Sequence, residues 1–298
     1  MINVALFLLA ALGYAVSTVA HAYCWMDRTP AVSVQSLATS HGGQTTGVRA
    51  SSSRCSLAAQ PALVAAVVLH GAAIALRWIE AGYPPFANAF EALSFYAWGL
   101  ALIYLCVGSL RRQAVLGTFV TPLALTSILV ASVLPKKIEP LVPVLQSHWL
   151  PIHVGVSLAA YAFFTLAFVA ATAYLLQLHS IRQPGRWRWA RRLPPLEALE
   201  QIQRRTAVAG LVLMTGALLS GSLWSEKAWG VVWPWEPQQV AALVTWLIYA
   251  AYFYARHNAG WHDRRGAWLL VGGFISVIVT FVGADLLMPG SRHSFLFG

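Results

Sequence analysis

Crossing a bilayer takes about 20 mostly apolar residues, enough to cover about 30 Å of hydrocarbon as a helix. This chain contains eight such stretches, at residues 2–22, 59–79, 88–109, 113–134, 152–178, 206–224, 238–255 and 267–288. None alternates polar and apolar residues as a barrel strand does. A helix satisfies its own backbone polar groups in lipid, so these runs predict helices, and packed membrane helices tolerate Pro122 and the interior glycines. The expected fold is all-α, a polytopic membrane helix bundle of about eight transmembrane helices. Composition closes off the alternatives. Apolar residues make up 58% of the chain and charged residues 10%, against about 25% charged in a soluble domain. A chain this apolar is not disordered. Three cysteines without a C-x-x-C pair exclude a disulfide scaffold or a thiolate zinc module. No phosphate-cradling glycine loop, H-E-x-x-H or nucleophile elbow supports a soluble enzyme.

The formal net charge of +10 sets orientation. With loops numbered alternately, one set holds fifteen Lys/Arg, including Arg28, Arg49, Arg54, Arg111, Arg112, Arg182, Arg191, Arg192, Arg204, Arg256 and Arg264. The other set holds five: Arg77, Lys136, Lys137, Lys227 and Arg292. This asymmetry follows the positive-inside rule. The basic loops are expected on the cytoplasmic side and both termini on the outer side, with the lipid bilayer as partner and no nucleic acid. Ala20-His21-Ala22 has the form of a signal-peptidase site, but no positive residue precedes the apolar core, so residues 1–22 are read as a retained first helix. Residues 23–58 are rich in Ser, Thr and Gly and lack periodicity. They read as a flexible cytoplasmic loop in which Cys24 and Cys55 stay reduced. Residues 59–298 form the main membrane domain.

Unusual chemistry collects in the outer segments. The stretch 224–237 contains Trp224, Trp229, Trp233 and Trp235 within twelve residues, followed by Glu236 and Pro237. An interfacial aromatic belt is one reading; a flat apolar platform for a large planar ligand is the other. His153, at the outer start of the fifth apolar run, and His293, beyond the outer end of the eighth, fall on the same side as these tryptophans. Two imidazoles flanking an aromatic platform suit axial ligation of iron, and a planar ring over indoles suits a porphyrin. Together they point to haem.

These stretches resemble the CcsA/ResC family of system II cytochrome c biogenesis, within the wider group of WWD haem-handling membrane proteins. The resemblance covers roughly residues 59–298. It rests on Arg77-Trp-Ile-Glu-Ala-Gly-Tyr-Pro-Pro-Phe-Ala-Asn-Ala-Phe-Glu, on Gln146-Ser-His-Trp-Leu-Pro-Ile-His153, on Trp229-Gly-Val-Val-Trp-Pro-Trp-Glu-Pro and on His293-Ser. It implies haem b carried as cargo, with His153 and His293 as axial iron ligands and Trp229, Trp233, Trp235 and Glu236 as haem-binding residues. It further implies delivery and ligation of haem to the CxxCH thiols of apocytochrome c on the outer face of a bacterial inner membrane. The partner would be a CcsB/ResB-type membrane protein, the two together forming a cytochrome c synthase. Alternatives are a haem exporter without ligation activity and a HemX/YpjD-type assembly or regulatory paralogue. The chain departs from the family pattern in three places. Glu236 stands where the family has Asp, Gln238-Gln239 where it has Lys-Glu, and Tyr254 where it has a histidine of an inner haem site.

Other polar residues invite readings of their own. His70, mid-span, reads as a neutral histidine bonded to a neighbouring helix or as a functional group. Arg77, Glu80, Asn88 and Glu91 surround one outer corner, where they would bind propionates or support packing. Asp285 is placed to orient an imidazole.

Overall fold

The computed structural model describes residues 2–26, 52–107, 114–138, 140–183 and 187–283. Among them all regular structure is helical: α1 (Ile2–Met26), α2 (Ser52–Ala81), α3 (Ala89–Cys106), α4 (Gly117–Val133), α5 (Trp149–Arg182), α6 (Leu196–Trp229), α7 (Pro237–Asn258) and α8 (Arg264–Ile278). A π-helical turn, Val279–Gly283, continues α8. Six of these helices are long and apolar enough to cross a membrane. Of the other two, α4 is apolar but has 17 residues, and α7 carries Gln238, Gln239, Arg256 and His257 within its 22. The chain is a polytopic helical membrane protein.

Consecutive helices alternate in direction, as contacts at the two ends show. At one end the Asn3 amide donates to Glu80 (2.6 Å), Arg77 pairs with Glu91 (2.7 Å), and the Trp224 indole donates to the Val144 carbonyl (3.2 Å). At the other end Arg192 donates to the Met26 carbonyl (2.7 Å) and Arg256 pairs with Glu200 (2.6 Å). The arginine-rich connections therefore gather at one end and the tryptophan stretch with His153 at the other.

Lipid tails are as apolar as leucine, so membrane helices associate through close packing of small residues and a few interhelical hydrogen bonds. The α5–α6 seam is of this kind, with Ala160, Ala167, Ala170, Ala171 and Ala217 buried. Tyr96 bonds Thr165 (2.6 Å), joining α3 to α5. Thr245 bonds Ser276 (2.8 Å) and Thr280 (3.0 Å), joining α7 to α8 and its π turn. His70 is fully buried. Its Nε2 lies 2.8 Å from the Ser94 hydroxyl and its Nδ1 3.3 Å from that of Tyr14, so the ring ties α2 to α3 and α1.

Three features differ from expectation. Helices α5 and α6 overrun the apolar segments 152–178 and 206–224, because hydropathy marks the part in lipid while good helix formers such as Leu196-Glu-Ala-Leu-Glu carry the helix beyond it. Helix α6 stops at Gly230, whose left-handed φ of 70° lets its N–H bond the Glu226 carbonyl (2.9 Å). Trp224 and Trp229 accordingly lie on the last turns of a helix and not in a loop. Cys24, expected as a reduced thiol, is disulfide-bonded; Cys106 is a free, exposed cysteine. Tyr254 is 69% exposed, because its face of α7 turns away from α6 and α8.

The Arg77–Glu91 pair is buried, at 8% and 0% side-chain exposure. Glu91 also accepts from the Ala87 N–H (2.8 Å), and its own N–H donates to Asn88, which caps α3 (3.0 Å). Removing one partner of a buried pair strands the other charge. Glu91→Ala should therefore destabilise the bundle by about 3–5 kcal/mol, while the double variant Arg77→Met/Glu91→Leu should recover most of the loss. Unfolding midpoints in detergent check both.

Candidate functional site

A cavity of about 1030 Å³, counting its open mouth, lies at the tryptophan end between α3, α5, α6 and α7. Its walls are mostly apolar, from Phe86, Leu150, Leu158, Met214 and Phe281, and its polar groups include His153, Gln238 and Gln239.

His153 sits in the second turn of α5 and lines this cavity. Its Nδ1–H donates to the Ala217 carbonyl of α6 at 2.9 Å. A helical carbonyl at position 217 already faces the N–H of residue 221, but it has a second lone pair. The approach is open because residue 221 is glycine: a Cβ there would lie 2.7 Å from His153 Cε1 and 2.8 Å from Nδ1. Trp224, one turn on, lies nearly parallel to the imidazole (12°, centroids 6.1 Å apart). With Nδ1 committed to the backbone, Nε2 has no hydrogen bond to a described residue, and its lone pair is available to a ligand.

The tryptophans divide into two pairs. Trp224 and Trp233 line the cavity. Trp229 packs edge-on against Trp224 (4.8 Å) with Leu145 and Leu150 nearby, behind the lining. Trp235 is 70% exposed and perpendicular to Trp233 (83°, 6.1 Å). Ser225 holds the start of the turn by donating to the Val231 carbonyl (2.6 Å). Glu236 occupies the cap position of α7, outside the lining, with Pro237 in the first helical turn. Proline suits that position because its missing N–H is not needed there. Gln238 and Gln239 line the cavity, and their side-chain oxygens are buried without a hydrogen-bond partner among the described residues.

Of the residues expected at the site, His153 and Trp233 share this cavity, and Trp229, Trp235 and Glu236 surround it. His293 and Asp285 lie outside the described residues. Sequence reading passed over Trp224 as a binding group, and Gly221 and Ala217 altogether. The signal was present: 217, 221 and 224 are spaced four and three apart, which puts them on one helix face. As a donor set, one oriented imidazole, two indole faces and apolar walls fit a large planar ligand carrying iron.

Gly221→Ala should push the imidazole off the Ala217 carbonyl and cost about 1–3 kcal/mol through overpacking. Diethyl pyrocarbonate footprinting should then show faster modification of His153 than in the parent protein.

Known proteins place this arrangement. A family model described as cytochrome C assembly protein matches residues 86–291. The cytochrome c biogenesis protein CcsA of Prochlorococcus marinus (strain NATL1A) is 34% identical over 249 residues, covering 74% of this chain and 79% of the relative. Its namesake from Synechococcus elongatus is 32% identical over 269 residues, covering 75% and 82%, and that of Synechococcus sp. (strain RCC307) is 33% identical over 263, covering 78% and 83%. With the match running through the cavity helices α5, α6 and α7 and the tryptophan stretch, the chain belongs to the cytochrome c assembly protein family and serves cytochrome c biogenesis.

Proposed function

We propose that the protein handles haem and presents it to apocytochrome c for covalent attachment, together with a CcsB/ResB-type membrane partner. The observation that carries this reading is His153: a half-buried imidazole lining the cavity, its Nδ1 fixed at 2.9 Å to the Ala217 carbonyl and its Nε2 without a hydrogen bond to a described residue. Such a ring is held in one tautomer, ready to coordinate iron through Nε2. In this reading His153 is one axial ligand and His293 the other. Trp224 and Trp233 give the macrocycle flat apolar walls, and Trp229, Trp235 and Glu236 support them from behind and at the mouth.

Haem is substrate here, and attachment needs no chemistry from a side chain. Each cytochrome thiol adds across one vinyl group, sulfur to one carbon and hydrogen to the other. The protein contributes position: holding the vinyls near incoming thiols turns a bimolecular encounter into a near-intramolecular one. The histidine of the CxxCH segment can then replace one imidazole, which frees the product. An exporter without ligation activity would need no oriented imidazole at the outer end, so the cavity favours presentation.

The purified protein should show a haem spectrum with bis-imidazole features. His153→Ala should lower haem content by about tenfold, the loss of roughly 1.4 kcal/mol of binding or more, with recovery on adding imidazole. Co-expression with a ResB-type partner and a c-type apocytochrome should yield covalent haem that the variant fails to produce. Unchanged haem content and maturation in His153→Ala would overturn the assignment.

The charge asymmetry supports an orientation with the His153 end on the outer side, in this reading that of a bacterial inner membrane. The disulfide at Cys24 argues the other way, because such bonds persist in oxidising compartments. Alkaline phosphatase fused at Lys137 should be active and at Gly185 inactive; the reverse pattern would invert the protein.

A further inference from the structure

A second cavity, about 810 Å³ counting its mouth, lies at the same end of the bundle between α1, α2, α3 and the segment after α4. It shares no lining residue with the His153 cavity. Val4, Phe7, Ala73 and Phe90 give it apolar walls, and Arg77 and Lys136 bring two cations to it.

The cations there are incompletely paired among the described residues. Arg77 Nε donates to Glu91 and Nη1 to the Lys136 carbonyl (3.0 Å), while Nη2 is buried with no partner among the described residues. Both Glu91 oxygens are engaged, one by Arg77 and the other by the Ala87 N–H. Glu80, the next carboxylate, accepts from Asn3. Lys136 has no carboxylate partner among the described residues. Its ammonium and the Arg77 guanidinium both lie over the Phe90 ring, 6.0 and 4.9 Å from its centre. Both cations lie near that ring, and Glu91, the carboxylate paired with Arg77, already accepts from the Ala87 N–H as well. Lys136 is thus left without an ion-pair partner among the described residues beside an apolar cavity, and the N-terminal turn of α1 adds its own partial positive charge. Exposed Trp78, Ile79 and Ile138 lie close by in the chain, at the end of the bundle where helices meet headgroups.

We propose that this cavity binds an anionic amphiphile. Its single negative headgroup, a phosphodiester or a carboxylate, is held by Lys136 and Arg77, and its acyl chain lies along Phe7, Ala73 and Phe90. The ligand fills the wedge that separates the first two helices from α3.

Native mass spectrometry of the full chain in detergent tests this with phosphatidylglycerol, phosphatidylcholine, oleate and inorganic phosphate as probes. One phosphatidylglycerol or one oleate should remain bound where phosphatidylcholine is lost, and inorganic phosphate should not compete. Which of the two stays longer identifies the headgroup as phosphodiester or carboxylate. Lys136→Gln should reduce occupancy about fivefold, the effect of one cation near a surface, and Lys136→Arg should restore it. Ala73→Phe, which fills the apolar wall and leaves every charge in place, should abolish retention. Equal retention of phosphatidylcholine, displacement by inorganic phosphate, or occupancy unchanged in both Lys136→Gln and Ala73→Phe would overturn the proposal.

Discussion

The α5–α6 seam is what the site depends on. Helices in lipid gain nothing from excluding water from one another, so they hold together where small side chains let backbones come close. The alanines of α5 and Ala217 and Gly221 of α6 supply that approach. It also brings a backbone carbonyl within reach of an imidazole on the facing helix. His153 is thereby oriented by main chain, which cannot change rotamer, and not by another mobile side chain. The same absent Cβ at Gly221 allows the helices to pack and the imidazole to lie flat against α6. Packing and function share one atom's worth of space.

A second pattern concerns which polar groups are satisfied. Burying a polar group without a partner is costly, and more so where no water can reach it. Most interior polar side chains here meet the requirement across helices: Tyr96 with Thr165, Thr245 with Ser276 and Thr280, His70 with Ser94 and Tyr14. Among the exceptions, Gln238, Gln239 and Arg77 Nη2 all belong to cavity-lining residues. Others, such as Thr172 Oγ1 and the Tyr249 hydroxyl, lack a partner among the described residues and line neither cavity.

Much of this was legible in the sequence, for a physical reason: lipid imposes long apolar runs, and the arginines mark their ends. All eight helices, their alternation and the meeting of His153 with Trp233 follow from hydropathy and topology. What escaped is what hydropathy does not measure. The ends of α5 and α6 are set by helix propensity and by a left-handed glycine, so hydropathy puts Trp224 at the start of a loop although it stands on a helix beside the imidazole. The role of Gly221 depends on an interhelical distance of a few ångströms. Spacing alone makes Trp229 to Trp235 look like one platform, although each ring's direction depends on backbone angles that spacing does not reveal.

Trp235 shows how that turn is built. It is the non-glycine residue with positive φ among those described, at 57°. The left-handed region costs an L-residue roughly 1–2 kcal/mol, and a glycine there would remove the cost. Two neighbours hold the backbone against relaxing. The Ser225 hydroxyl anchors Val231 on one side, and on the other Pro237, with its fixed φ, opens α7. A short span between two fixed points must reverse direction within it, and the reversal falls at Trp235. Its indole is consequently turned out, 70% exposed and perpendicular to Trp233. A tryptophan at a left-handed position, with most of its surface left in contact with the surroundings, gains little burial to offset the strain. The strain leaves that indole face beside Trp233 and open to the surroundings of the chain.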